Sequence, residues 1–151
     1  MTNESAILVE AGGGQTLHAF GEEITILLTG EQTGGRLSLW HEITPPGGGP
    51  PLHFHINDDE AFYVLEGTIS FFQNSRWEEV SAGGSAFVPR GQLHTFKNPG
   101  DKPARMLLST SPGGFDVFFT RCASEFAKPG GPDMATVYEI AAEHGIHFVS
   151  K

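Results

Sequence analysis

The chain is short, acidic and poor in charged side chains. Its 151 residues include 18 Asp and Glu against 9 Lys and Arg, which gives a net charge of −9. This length indicates one domain with a sizeable core. The acidity argues against binding to a phosphate backbone or an anionic membrane, so we expect neither nucleic acid nor a membrane as a partner. The 20 Gly and 10 Pro favour short strands and tight turns over long helices.

Cysteine usage and the first residues bear on the compartment. The single cysteine, Cys122, has no partner for an intrachain disulfide, and residues 1–5 lack the basic and apolar regions of a signal peptide. We therefore expect a soluble protein of the reducing cytoplasm. Cys122 lies in an apolar helical stripe, which favours a small core residue over a nucleophile.

The first half of the chain has the pattern of short strands joined by turns. Strands are predicted over residues 16–20, 23–29 and 36–44, which are separated by Gly-bearing segments. The following run, 45–51, is made only of Pro and Gly. Because proline has no N–H for a ladder hydrogen bond, this run is predicted to be a stiff, irregular connection that delivers the chain to His53.

Short strands continue after this connection. They are predicted over 60–65, 68–73, 76–80, 85–88, 94–98 and 105–110. The dipeptide Glu66-Gly67 between the first two is typical of a hairpin turn.

A cluster of metal-binding side chains is encoded in this region. His53 and His55 are two residues apart, so on a strand both imidazoles face the same side of the sheet. Glu60 and His94 can complete a four-ligand cluster if the fold brings them over that pair. Three imidazoles and one carboxylate suit one divalent transition metal ion, with Fe, Ni, Mn, Co, Cu and Zn all acceptable. The alternative is a barrel whose histidines are only buried and hydrogen-bonded.

The segment after residue 111 departs from the strand pattern. Five apolar residues recur at helical spacing: Phe115, Phe118, Phe119, Cys122 and Phe126. A second helix is predicted over 134–144, with Asp133 as its N-cap and Gly145 after its C-terminus, followed by a last strand over 146–149. The apolar stripe either covers the barrel or forms a lid over its mouth.

Two segments of the chain match known signature motifs. They are Gly47-x5-His53-x-His55-x4-Glu60-x6-Gly67 and Gly83-x5-Pro89-x-Gly91-x2-His94-x3-Asn98. Both resemble the two motifs of the cupin superfamily at every fixed position, and residues 45–67 are similar to single-domain cupins related to quercetin 2,3-dioxygenases. The resemblance implies an all-β double-stranded β-helix, or jelly-roll barrel, with one or two short C-terminal helices. It implies a single cupin domain over 1–151, with a barrel core over 16–111 and a helical extension over 115–145.

The same resemblance implies a site and an activity. It assigns His53, His55, Glu60 and His94 as metal ligands, with Glu60 also as the catalytic acid–base group. It implies a metal-dependent dioxygenase of the quercetinase type, using O₂ on a flavonol-, polyketide- or catechol-like enol or phenol. Two alternatives stay open: an O₂-independent isomerase, lyase or decarboxylase on a small oxygenated acid, and a non-catalytic cupin that binds a small molecule.

The alternation of inward- and outward-facing residues along the strands predicts which side chains line a substrate pocket. A strand at a sheet edge predicts a homodimer. Phe62 and Val64 share parity with Glu60, and Phe96 shares parity with His94, so these three apolar side chains are expected to line the pocket. Cupins often pair through sheet edges, and the strand predicted over 16–20 is a candidate edge for a homodimer.

Overall fold

The computed structural model describes residues 4–149 and confirms the all-β jelly-roll barrel with two short helices after it. The first six strands are β1 (Gln15–Ala19), β2 (Glu22–Leu28), β3 (Ser38–Thr44), β4 (His53–His55), β5 (Asp59–Glu66) and β6 (Thr68–Gln73). The remaining elements are β7 (Arg76–Ser81), β8 (Ser85–Val88), β9 (Thr95–Lys97), β10 (Ala104–Ser111), α1 (Phe115–Phe126), α2 (Met134–Glu143) and β11 (Ile146–Phe148). Neither helix among residues 4–149 is long and apolar enough to cross a membrane.

The strands form one large sheet and two small ones. The six-stranded sheet has the order β1-β2-β3-β10-β5-β8, while β7-β6-β9 and β11-β4 form the smaller sheets. All the strand pairs are antiparallel. Side chains alternate between core and surface along the strands, most regularly on β3, where every second residue is buried. The barrel core therefore lies between the large sheet and the small ones.

Most predicted element boundaries agree with the structure to within two residues, and two details differ. Phe20 is a turn residue with φ of 55°, so β1 ends one residue before it. The turn at Gly67 does not close a hairpin, because β5 pairs with β10 and β8 whereas β6 pairs with β7 and β9. Gly67 has φ of 82°, and a Cβ there would lie 3.1 Å from Ala104 Cβ. The turn instead passes the chain from the large sheet to a small one.

The C-terminal segment returns to the barrel. Asp133 caps α2 as predicted, since its carboxylate accepts a hydrogen bond from the Ala135 N–H at 3.1 Å, and Gly145 follows with φ of 72°. Beyond it, β11 pairs with β4, which places Ile146 opposite His55 and Phe148 opposite His53. The segment after the helices is thus the direct neighbour of the strand that carries two of the predicted ligands.

Candidate metal centre

Three of the four predicted ligands converge inside the barrel. His53, His55 and His94 each offer a ring nitrogen, and these atoms all lie within 4.8 Å of one another. All three side chains are buried. Backbone pairing brings them together: the His53 N–H donates to the His94 carbonyl at 3.0 Å, and the His94 N–H donates to the His53 carbonyl at 2.8 Å. The strand spacing of β4 then places His55 on the same side as His53.

Backbone carbonyls set the tautomers of two of these rings. His53 Nδ1 donates to the Pro51 carbonyl at 2.8 Å, and His94 Nδ1 donates to the Gln92 carbonyl at 2.9 Å. In each neutral ring the Nε2 lone pair is therefore left for a metal. Both nitrogens of the buried His55 have no hydrogen-bond partner within residues 4–149. This arrangement fits a divalent ion, because it supplies unprotonated nitrogen and leaves one ring unsatisfied without a cation.

Carboxylates lie beside the cluster. Glu60, near the start of β5, is buried, and its Oε1 lies 3.3 Å from His94 Nε2. It is next to the cluster, although it is not among the three side chains whose ligand atoms all lie within 4.8 Å of each other. Asp58 Oδ2 lies 3.4 Å from His55 Nδ1, on the side of the ring that a metal-binding Nε2 leaves free. The role of Glu60 as the fourth metal ligand stays a prediction.

The pKa values of His53 and His94 are shifted in opposite directions. Burial, together with the neighbouring His94 and His55, holds the pKa of His53 well below its usual range, so His53 is neutral and able to bind a metal. Burial also acts to lower the pKa of His94, but the hydrogen bond and charge of Glu60 outweigh it and raise that pKa. Metal binding at His94 Nε2 therefore requires the loss of any proton held between that nitrogen and Glu60.

A narrow cavity opens from this cluster into the barrel. The space that a water-sized molecule can occupy is about 30 Å³, which is room for a few waters. His53 and Glu60 line one part of it. Aromatic rings form most of the walls: Trp40, Phe96, Phe115, Phe118, Phe119 and Phe148. Phe115 stacks on His55 with a centroid distance of 5.0 Å and on Trp40 at 5.0 Å, so α1 covers the cavity directly.

The predicted pocket residues occupy two different environments. Phe96 lines the cavity, whereas Phe62 and Val64 are buried in the barrel core and do not line it. Phe62 packs edge-on against Phe96 at 5.8 Å and against Phe71 at 5.0 Å. These rings extend the core from the cavity wall toward β6.

Two buried glutamates in the cavity were missed by the sequence analysis. Glu22 and Glu42 line the same space and are 3% and 2% exposed. Burial, the neighbouring Glu42 and, more weakly, Glu60 hold the pKa of Glu22 well above its usual range, and burial raises the pKa of Glu42. Strand alternation is the one sequence signal for them: both lie at positions whose strand neighbours two residues away are buried.

Three residues outside the histidine cluster and the cavity, Asn98, Arg90 and Cys122, have structural roles. Asn98 donates to the Thr44 carbonyl at 3.0 Å and to the Lys102 carbonyl at 2.7 Å, as expected for a residue that satisfies backbone groups. Arg90 pairs with Asp59 at 3.0 Å at the barrel rim. Burial raises the pKa of the Cys122 thiol to about 11, which agrees with a core residue and not a nucleophile.

Comparisons with known proteins agree with this geometry. The family profile described as the Cupin domain matches residues 40–110. The tetracenomycin polyketide synthase protein TcmJ of Streptomyces glaucescens is 31% identical over 96 residues, which cover 63% of this chain and 64% of that protein. Germin-like protein 5-1 of Oryza sativa is 32% identical over 133 residues, which cover 80% of this chain and 60% of that protein. The chain thus spans less than two thirds of the length of these relatives.

Solved structures show the same fold. The polyketide cyclase RemF from Streptomyces resistomycificus superposes with a TM-score of 0.61 at 25% identity, covering 71% of this chain and 80% of that one. A predicted oxalate decarboxylase from Thermotoga maritima gives a TM-score of 0.63 at 23% identity and covers 70% of this chain and 99% of that one, which is a likeness of fold alone.

Proposed function

The chain carries a cupin domain on a jelly-roll barrel, and from that premise we propose that it is a metal-dependent enzyme acting on an enolic or phenolic small molecule. The observation behind the proposal is the buried cluster of His53, His55 and His94, of which His53 lines an aromatic cavity together with Glu60. In this proposal the three histidines and Glu60 hold one divalent transition metal ion.

The ion would supply a positive charge that stabilises an anionic oxygen of the substrate. The residues of the chain supply the rest. The carbonyls of Pro51 and Gln92 orient two of the rings through their Nδ1 atoms. Glu60 borders the cavity beside His94, so it is placed to take the proton of an incoming hydroxyl group. The phenylalanine rings of α1 line the cavity and give the site apolar walls.

The first candidate reaction is dioxygenation of a flavonol-, polyketide- or catechol-like substrate with O₂. The supporting features are the three-histidine centre with an adjacent carboxylate and the aromatic walls of the cavity, which match the chemistry of a flat apolar ring. The similarity to TcmJ, a polyketide synthase protein, favours a polyketide-type phenol within that class.

The second candidate is a reaction without O₂, in which the metal ion polarises a carbonyl and carboxyl groups move protons. The buried Glu22 and Glu42 favour it, because they place two further proton-carrying groups in the cavity. The likeness to the polyketide cyclase RemF supports the same reaction class on the same kind of substrate.

A small dianionic acid is a weaker candidate. The oxalate-binding protein of Thermotoga maritima is 29% identical over 86 residues. Within the described chain, however, no Lys or Arg lines the cavity, while Glu22, Glu42 and Glu60 do. A second negative charge on the substrate would be repelled by these carboxyl groups.

Metal analysis followed by oxygen uptake tests the proposal. We expect about one equivalent of Fe, Ni, Mn, Co or Cu in the purified protein, and O₂ consumption with a flavonol, a catechol or a polyketide-type phenol. Turnover of the same compounds under argon would select the second candidate. The absence of a stoichiometric metal, even after reconstitution, would contradict both and leave a binding role.

Location and assembly are separate proposals. The cytoplasmic location rests on the cysteine usage, and the homodimer rests on the edge strand β1. Light scattering of the purified protein, with a Pro substitution at Thr16 in β1 as the disrupting variant, tests the dimer.

A further inference from the structure

Beyond the metal centre, the geometry points to a second polar subsite in the same cavity, in which Glu22, Glu42 and Trp40 bind a hydroxyl group of the substrate. This inference deepens the proposed function and rests on it. The hydroxyl group is one remote from the oxygen that faces the histidines, so the substrate would carry polar groups at two ends of an aromatic body.

The strand register separates the subsite from the metal-binding residues. On β10, Thr110 pairs with Glu60 on one side and with Ser38 on the other, so Ser38 marks the level of the metal centre on β3. Trp40 and Glu42 follow it by two and four residues on the same face, which displaces their backbones by roughly 7 and 13 Å along the strand. Both line the cavity.

The two carboxyl groups lack a cationic partner. Glu22 accepts a hydrogen bond from Thr44 Oγ1 at 3.1 Å, and within residues 4–149 no Lys or Arg lines the cavity. Burial raises the pKa of both glutamates, and the neighbouring Glu42 raises that of Glu22 further, so the pair retains a proton more strongly than exposed carboxyl groups do. A group that donates a hydrogen bond to a carboxylate is therefore the natural occupant.

Trp40 supplies an independent observation. Its side chain is 1% exposed, it lines the same cavity, and its indole N–H has no hydrogen-bond partner in the described part of the chain. The indole lies close enough to Glu42 to oppose the rise in the pKa of that carboxyl, although it makes no hydrogen bond of acceptable geometry. An unsatisfied buried donor at a cavity wall calls for an acceptor on the ligand.

A hydroxyl group meets both requirements at once. Its oxygen accepts from the Trp40 N–H, and its hydrogen is donated to Glu42 or Glu22. A carboxylate would be repelled by the glutamates, an ammonium group could not accept from the indole, and a methyl group would leave the indole unsatisfied. Phe115, Phe118 and Phe119, all carried by α1, line the cavity and would have to move to admit the body of the ligand.

Three catechols that differ only at the ring position away from the diol test this subsite. They are 4-(hydroxymethyl)catechol, 4-methylcatechol and 3,4-dihydroxybenzoate, titrated anaerobically into the metal-loaded protein by calorimetry. We expect the hydroxymethyl compound to bind at least about 10-fold more tightly than the methyl compound, and the carboxylate most weakly. Trp40→Phe and Glu42→Leu should each reduce that preference to less than about threefold.

The control is Glu125→Leu, which replaces a buried glutamate that does not line the cavity. It should keep the preference of the wild type. Metal content is measured in every variant, and thermal unfolding confirms that each one folds. Because Trp40→Phe preserves an aromatic ring, it isolates the N–H even if Glu42→Leu fails to fold.

The outcomes separate this inference from the function on which it rests. Metal-dependent binding of 4-methylcatechol with no preference for the hydroxymethyl compound would overturn the second subsite and leave the proposed function standing. A preference that persists in both variants would also overturn it. Failure of all three catechols to bind the metal-loaded protein would overturn the proposed function and the subsite together.

Discussion

The two polar ends of the cavity differ in how their hydrogen bonds are satisfied. At the metal end, His53 and His94 donate from Nδ1 to backbone carbonyls, so each ring is held in one orientation before any ligand arrives. At the carboxyl end, Glu22 accepts a hydrogen bond from Thr44 Oγ1 and lies against the carboxyl group of Glu42, while the Trp40 N–H has no hydrogen-bond partner within residues 4–149. The first end is preorganised for a cation, whereas the second is left with groups that a ligand would complete. The contrast shows that backbone carbonyls fix the orientation of two of the histidines, whereas side chains alone form the carboxyl end.

The largest expected effect comes from a substitution that disrupts the histidine cluster at the metal end of the cavity. His94→Ala deletes one of three clustered nitrogens and should lower metal affinity by at least about 100-fold, abolishing turnover. Elemental analysis of the purified variant measures this. His18→Ala is the matched control, because His18 is exposed and lies outside the cluster, and it should keep the metal. Equal metal content in the two variants would contradict the site.

Glu60→Gln distinguishes the two roles that Glu60 can have at the metal end, proton transfer and metal binding. If Glu60 moves a proton, the amide should lower kcat by about 10²- to 10⁴-fold while much of the metal is retained. Steady-state kinetics with parallel metal analysis separates the two roles. Glu66→Gln, an exposed change on the same strand, is the control. Loss of metal as complete as in His94→Ala would show that Glu60 acts mainly as a ligand.

Phe115→Ala affects both ends together, because its ring stacks on His55 and on Trp40. Removing this buried ring should cost roughly 3–5 kcal/mol of unfolding free energy. Urea denaturation of the metal-free protein measures the loss. Val117→Ala on the exposed side of α1 should change stability by less than about 0.5 kcal/mol. If Phe115→Ala lowered the free energy of unfolding by no more than Val117→Ala does, α1 would not pack on the cavity.

The smallest effect concerns the carboxyl end and has a defined pH dependence. The folded-state pKa of Glu42 is raised, mainly by burial, so its contribution is fully present below the unfolded pKa and is lost as pH rises through the folded pKa. Glu42→Gln should therefore raise Tm at pH 8 relative to wild type and raise it less at pH 4. Each kcal/mol gained corresponds to about 2–4 °C in a chain of this size. Scanning calorimetry of the chelated protein checks this, and an unchanged difference between the two pH values would contradict it.

The placement of His53 beside His55 could be predicted because it depends on local information. His53 and His55 are two residues apart, and the alternation of a strand is enough to place them on one face. The helical spacing of Phe115, Phe118 and Phe119 likewise predicted α1 and its buried face. The glycine at 145 and the cap at Asp133 needed only neighbouring residues.

The carboxyl end and the strand pairing were beyond local reasoning. Glu22 and Glu42 lie on buried positions of two strands, but charged residues at such positions are rare enough that alternation alone does not establish their burial. The turn at Gly67 has the composition of a hairpin, and only the pairing of β5 and β6 with other strands shows that it joins two sheets. The contact of β11 with β4 links segments far apart in the chain.

That last pairing has a consequence for biosynthesis. The strand that carries His53 and His55 finds its neighbour in β11, about 90 residues later, and a ribosome adding roughly 5–20 residues per second needs about 5–20 s to make that stretch. Until Phe148 has emerged, the two histidines belong to a nascent chain whose edge is unpaired. The backbone pairing that flanks the two histidines is therefore completed only after the helices have been translated.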